Sequence, residues 1–84
     1  MIILDGYEFK DKKSSFSYLN EKLDTDFNLT NLDGLFDKLS EIDSSIEIRN
    51  YKKILDNLDS YGESLLKVFI KAAFLYSLEI NFLY

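Results

Sequence analysis

Residues 30–49 read TNLDGLFDKLSEIDSSIEIR, and the period of their apolar residues changes part-way along. Leu32, Leu35, Leu39 and Ile42 fall at i, i+3, i+7 and i+10, one stripe of a helix. Thr30 or Asn31 supplies a side chain able to cap that helix, and Asp33 stands in its first turn, where the helix dipole favours an acid. Ile46-Glu47-Ile48-Arg49 then alternates with period two, as a half-covered edge strand does. A helix that gives way to a strand within a few residues sets the class as α/β.

Upstream, Ile2-Ile3-Leu4 is a β-branched apolar run closed by the turn signal Asp5-Gly6. Apolar on both faces, it reads as a short buried strand of the kind found at the centre of a parallel sheet. Ser14 or Ser15 opens a helix on which Phe16, Leu19 and Leu23 share a face. Residues 24–30 have no period and read as a loop.

Downstream, Asn50 caps a short helix with Tyr51, Ile54, Leu55 and Leu58 inward. Ser60-Tyr61-Gly62-Glu63 has the form of a capping box. The helix it opens is apolar nearly all round from Leu65 to Tyr76, its polar stripe being Glu63, Lys67 and Lys71, so it should be covered on most sides. Leu78 to Tyr84 is a last apolar strand. The order β-α-α-β-α-α-β, with helical crossovers between strands, predicts a three-stranded parallel sheet flanked by about four helices. At 84 residues this is one domain, 1–84, with a modest core and no room for a separate cofactor domain.

Charge is the next informative feature. Residues 24–43, DTDFNLTNLDGLFDKLSEID, hold six acids (Asp24, Asp26, Asp33, Asp37, Glu41, Asp43) against one base, Lys38. The other sixty-four residues hold nine acids and nine bases, so the whole net charge of −5 is local. A local acidic patch speeds encounter with a basic partner and selects that partner by sign. It also argues against binding nucleic acid, whose phosphates it repels.

The inventory for catalysis is thin. The chain has no Cys and no His, which removes thiolate chemistry, disulfides, the commonest general base and the commonest transition-metal ligand. We expect no enzyme activity, no cofactor and no small-molecule substrate. The start, MIILDGYEF, lacks a basic leader, and the longest apolar stretch, Val68 to Leu78, is broken by Lys71 and falls well short of the ~20 residues that cross a bilayer. The expectation is a soluble cytoplasmic protein without membrane contact.

Asp33 and Asp37 are the first candidates for a site. Four residues apart, they share a helix face with Phe36 close by. A solvated helix face is the bland explanation. Against it, like charges at this spacing destabilise a helix by ~0.2–0.5 kcal/mol, and the one base in the window, Lys38, points roughly 100° away round the helix. The pair could also act as acid and base or bind Mg²⁺, but Mg²⁺ sites usually add substrate phosphates to one or two carboxylates, and no Gly-rich loop or Lys-Ser motif here would hold a phosphate. Phe27 in the loop and Phe36 on the helix are either binding aromatics beside the acids or plugs of the core. Phe36 is offset by one position from the leucine stripe, which leans it outward. The six tyrosines read as core or half-buried, and the run Lys10, Lys12, Lys13 as a solvated turn.

Residues 27–39, FNLTNLDGLFDKL, resemble the signature of the barstar family of intracellular ribonuclease inhibitors. The family pattern is roughly aromatic, aromatic, Gly, any residue, Asn-Leu-Asp-Ala-Leu, aromatic, Asp, any residue, Leu, and Asn31-Leu32-Asp33-Gly34-Leu35-Phe36-Asp37 follows it closely. The opening strand with Asp5-Gly6, the segment from Glu63 to Phe69 and the terminal apolar strand are similar to the family's as well. The resemblance implies a parallel three-stranded sheet with helices and a loop-and-helix surface that plugs the active site of a small secreted, extracellular-type ribonuclease. It implies that Phe27 stacks at the rim, that Asn31 and Gly34 line the contact, and that Asp33 and Asp37 pair with catalytic bases, Asp37 in the place of the substrate phosphate. With Phe36 and Glu41 these form the expected partner-binding set. A nuclease site is built of cations to hold an anion, so a carboxylate on charge-assisted hydrogen bonds imitates its substrate.

The chain departs from the family pattern at several places. Asn28 and Leu29 stand where the family has a second aromatic and a Gly, Phe36 where it has a tryptophan, Ile42 where it has an aromatic, and Lys71 where the last helix carries an acid. The expected function is inhibition of a basic ribonuclease. The competing readings are an immunity or adaptor module of the same fold with another basic protein as partner, and a small carboxylate-based enzyme.

Overall fold

The computed structural model describes residues 1–24 and 28–84. The elements, in order, are β1 (Ile2–Asp5), a single 3₁₀ turn (Gly6–Glu8), α1 (Lys12–Leu23), α2 (Leu32–Leu39), β2 (Ile46–Arg49), α3 (Tyr51–Leu58), α4 (Ser60–Leu75) and β3 (Ile80–Phe82). Among the described residues three strands form one parallel sheet, and four α-helices accompany it, as expected from the sequence.

The strand order is β1-β2-β3, which reverses two of the expected positions. β1 is an edge strand and β2 is central. The register explains why the patterns misled. Ile2, Ile46 and Ile80 lie across from one another, as do Leu4, Ile48 and Phe82, and these six fill one face of the sheet. Ile3, Glu47 and Asn81 form the row between them, on the other face. Right-handed crossovers with sequential strand order put both helix pairs on the same face. The alternation in β2 therefore reports one well-covered and one poorly covered face, not a position at the edge. Glu47 is half-buried and pairs with Arg49 at the end of its own strand, while Ile46 and Ile48 are wholly buried.

The core is continuous. It joins Leu4, Ile46 and Ile48 of the sheet to Phe16, Leu19 and Leu23 of α1, Leu35 and Leu39 of α2, Ile54 of α3, and Leu65, Leu66, Phe69 and Ala72 of α4. The stripe read in α1 is buried throughout, whereas Leu32 of α2, Ile42 just after it, and Tyr51, Leu55 and Leu58 of α3 are half-buried at the margin of the core.

Caps differ more than stripes. Asp11, not Ser14 or Ser15, is the N-cap of α1: its carboxylate accepts from the Ser14 N–H at 2.7 Å while Ser14 Oγ accepts from the Asp11 N–H at 3.1 Å. Asn50 precedes α3 in the left-handed region, φ 54°, and does not cap it; its side-chain amide donates to Asp5 Oδ1 at 3.1 Å, tying the end of β2 to the end of β1. The capping box expected at Ser60–Glu63 does not form. α4 already includes Ser60, Asp59 is its N-cap without a side-chain bond, and the Glu63 carboxylate pairs with Lys67 at 3.1 Å. Tyr18, Tyr51, Tyr61 and Tyr76 are half-buried as expected, but Tyr7 and Tyr84 are exposed. Lys12 and Lys13 belong to the first turn of α1 rather than to a turn before it. Among the described residues no helix is long and apolar enough to cross a membrane.

Candidate partner-binding site

α2 is short, eight residues, and its position is fixed at its N-terminal end and underneath. Asn31 is its N-cap, with Oδ1 accepting from the Gly34 N–H at 2.8 Å. Leu35 and Leu39 are fully buried below it, with Leu32 and Ile42 half-buried at the margins. The segment leading in is anchored as well: Leu29 is buried, and its backbone N–H and C=O bond the Asn20 side chain of α1 at 2.7 and 3.3 Å. An isolated helix of this length is unstable in water, so tertiary packing supplies its rigidity.

On this platform Asp33 and Asp37 stand one turn apart and both are exposed. Among the described residues neither makes an ion pair within 4 Å with a lysine or arginine of the chain. Asp24, Glu41 and Asp43 are exposed too. Glu41 lies 4.0 Å from Lys38, an exposed contact of the kind that contributes little. Phe27 and Asp26 lie outside the described residues.

Phe36 divides its surface. It is half-buried, and its ring packs on Tyr76 at the end of α4 with centroids 4.9 Å apart. Lys71 Nζ lies 5.1 Å from the centre of the same ring. The lysine that replaces an expected acid therefore stands beside α2, and the face is not uniformly negative. Gly34 is not required by packing: a Cβ there would meet only Asn31 Oδ1 at 3.4 Å and Leu29 Cδ2 at 3.6 Å. Gly34 stands in the first turn of α2, where its N–H donates to the Asn31 cap.

Sequence reasoning missed the exposed apolar end of α4. Leu65, Leu66, Phe69 and Ala72 are buried, but Ile70, Phe74 and Leu75 face solvent. Their signal was in the sequence: a helix apolar on every side has more greasy surface than a small domain can cover.

No family model matches the chain, and no curated protein matches it.

Proposed function

We propose that the protein is a barstar-like inhibitor of a basic ribonuclease, acting in the cytoplasm by occupying the nuclease's active site with the acidic face of α2 and the loop before it. The observation that carries this reading is the pair Asp33 and Asp37, exposed, one helical turn apart and without an intramolecular cation among the described residues. Two unneutralised carboxylates on a packed helix are an arrangement that gains little for folding and much for meeting cations. Their desolvation on binding is offset where the partner supplies guanidinium, ammonium or imidazolium donors in place of water. Because α2 is already held, little conformational freedom is lost when the complex forms. The three-stranded parallel sheet with its helices is of the class that the sequence resemblance implies.

In this reading Asp37 takes the place of a substrate phosphate, Asp33 pairs with a neighbouring base, Phe36 and Phe27 contribute apolar contact, and Asn31, Gly34 and Glu41 complete the surface. The protein itself catalyses nothing and needs no cofactor.

Titration calorimetry against a panel of small basic microbial ribonucleases tests it. Asp37→Ala should weaken binding by at least tenfold more than Asp43→Ala, which removes the same charge from the margin of the patch. Equal losses would mean that the register is wrong, and absence of binding across the panel would count against a nuclease partner. Lys71 beside Phe36 favours a second reading, an immunity or adaptor module whose basic partner also presents an acid opposite that lysine.

A further inference from the structure

Among the described residues the end of α4 is the most exposed apolar surface within a helix. Phe74 is 84% exposed, Ile70 56% and Leu75 55%. Ile70 and Phe74, four residues apart, share one strip of the helix, and Lys71 and Leu75 share the next. Lys67 stands one turn before both Ile70 and Lys71. A contiguous apolar group of this kind on a small protein marks an interaction surface rather than ordinary surface scatter.

What covers it is indicated by what lies beside it. The Lys71–Leu75 strip borders α2, since Lys71 lies over Phe36 and Phe36 packs on Tyr76. Going across the surface, an acidic strip (Asp33, Asp37) is followed by a basic and apolar one (Lys71, Leu75, Ile70, Phe74). Among the described residues Lys71, Asp33 and Asp37 have no ion-pair partner within 4 Å. Two neighbouring strips of opposite sign complement themselves. A twofold axis lying in the interface, along the seam between α2 and α4, carries the acidic helix of each copy onto the basic, apolar helix of the other.

We propose that this face is an isologous dimer interface. Asp33 and Asp37 of one copy face Lys71 of the other and, at its margin, Lys67, which also keeps the Glu63 carboxylate of its own helix at 3.1 Å, and each copy's α2 covers Ile70, Phe74 and Leu75 of its mate. Every contact occurs twice, which lets a small patch hold a dimer together. The carboxylates used are those offered to a basic partner, so dimer and complex compete: the free protein covers its own acidic face, and a partner that binds α2 releases the monomer. The proposal concerns the protein alone and stands or falls independently of the partner's identity.

Sedimentation velocity on the whole chain, from micromolar to millimolar concentration, tests it. The weight-average mass should rise from that of the 9.9 kDa chain towards twice that value. Phe74→Glu, the pair Asp33→Lys with Asp37→Lys, and the pair Lys67→Glu with Lys71→Glu should each remain monomeric. All five substituted residues are exposed, and circular dichroism checks that each variant is folded. An equimolar mixture of the two charge-reversed variants should form a heterodimer, because opposite signs again face each other. A wild-type chain that is monomeric throughout overturns the proposal. So does a dimer that survives all three variants, or a monomer that binds phosphatidylcholine vesicles through Phe74, which would assign the patch to a lipid surface.

Discussion

Asp59 joins α3 to α4 with φ 52° and ψ −127°, a conformation that side chains with a Cβ adopt only under strain. Its backbone is held on both sides: the N–H donates to the Leu55 carbonyl at 2.9 Å, and its own carbonyl accepts from the Glu63 N–H at 3.2 Å. Relief of the strain without loss of those bonds should raise stability, so Asp59→Gly is expected to gain ~1 kcal/mol. In a domain of this size that is a rise in melting temperature of ~4–8 °C. Three residues on, glycine is required for the opposite reason. A Cβ on Gly62 would lie 2.4 Å from the Ile54 carbonyl oxygen, so α3 and α4 can cross only where that residue has no side chain. Gly62→Ala should lower stability by ~1–3 kcal/mol, as overpacking does. Scanning calorimetry on the two variants measures both, and a loss in Asp59→Gly would show that the aspartate, not the backbone, shapes this corner.

At the scale of elements, α1 offers a test through its cap. The Ser14 N–H donating to Asp11, aided by the Ser14 hydroxyl, holds the Asp11 carboxyl below its ordinary value. A carboxyl that is more acidic when folded contributes stability fully above the unfolded value and loses it as pH falls through the folded one. Asp11→Ala should therefore melt lower than the parent at neutral pH, with the gap narrowing below about pH 4. Melting curves followed by circular dichroism across that range decide it, and a gap that stays constant would mean that the charge adds nothing to the cap. The same helix shows what could be read in advance. Phe16, Leu19 and Leu23 had to point inward because burial follows the helical period, and they do. The start of the helix was not legible, because Asp11, Ser14 and Ser15 can all cap, and the reciprocal bonds between Asp11 and Ser14 select one. Asn50 fails in the same way: its amide goes to Asp5, forty-five residues earlier, a neighbour that exists only once β1 and β2 pair. In the candidate site, the exposure of Asp33 and Asp37 followed from their offset to the leucine stripe, whereas the contact of Lys71 with Phe36 depends on how α2 docks on α4.

The whole molecule measures 28 × 26 × 20 Å, and that size sets how its charge is felt. At physiological salt the Debye length is about 8 Å, less than half the shortest dimension. A basic partner approaching α2 then senses the local acids and little of the balanced charge elsewhere. At ~0.01 M salt the Debye length is about 30 Å, and the partner senses the full net charge of −5 wherever its members lie. Two substitutions that remove one negative charge each should therefore behave differently. Asp37→Asn, in the patch, should slow association with a basic ribonuclease at both ionic strengths. Asp56→Asn, on α3, which packs on α4 and on the turn after β1 rather than on α2, should slow it only in low salt. Stopped-flow mixing at chain concentrations too low for self-association measures the four rates. If both variants show the same slowing at physiological salt, the encounter is governed by total charge, and the concentration of acid between residues 24 and 43 has no part in steering.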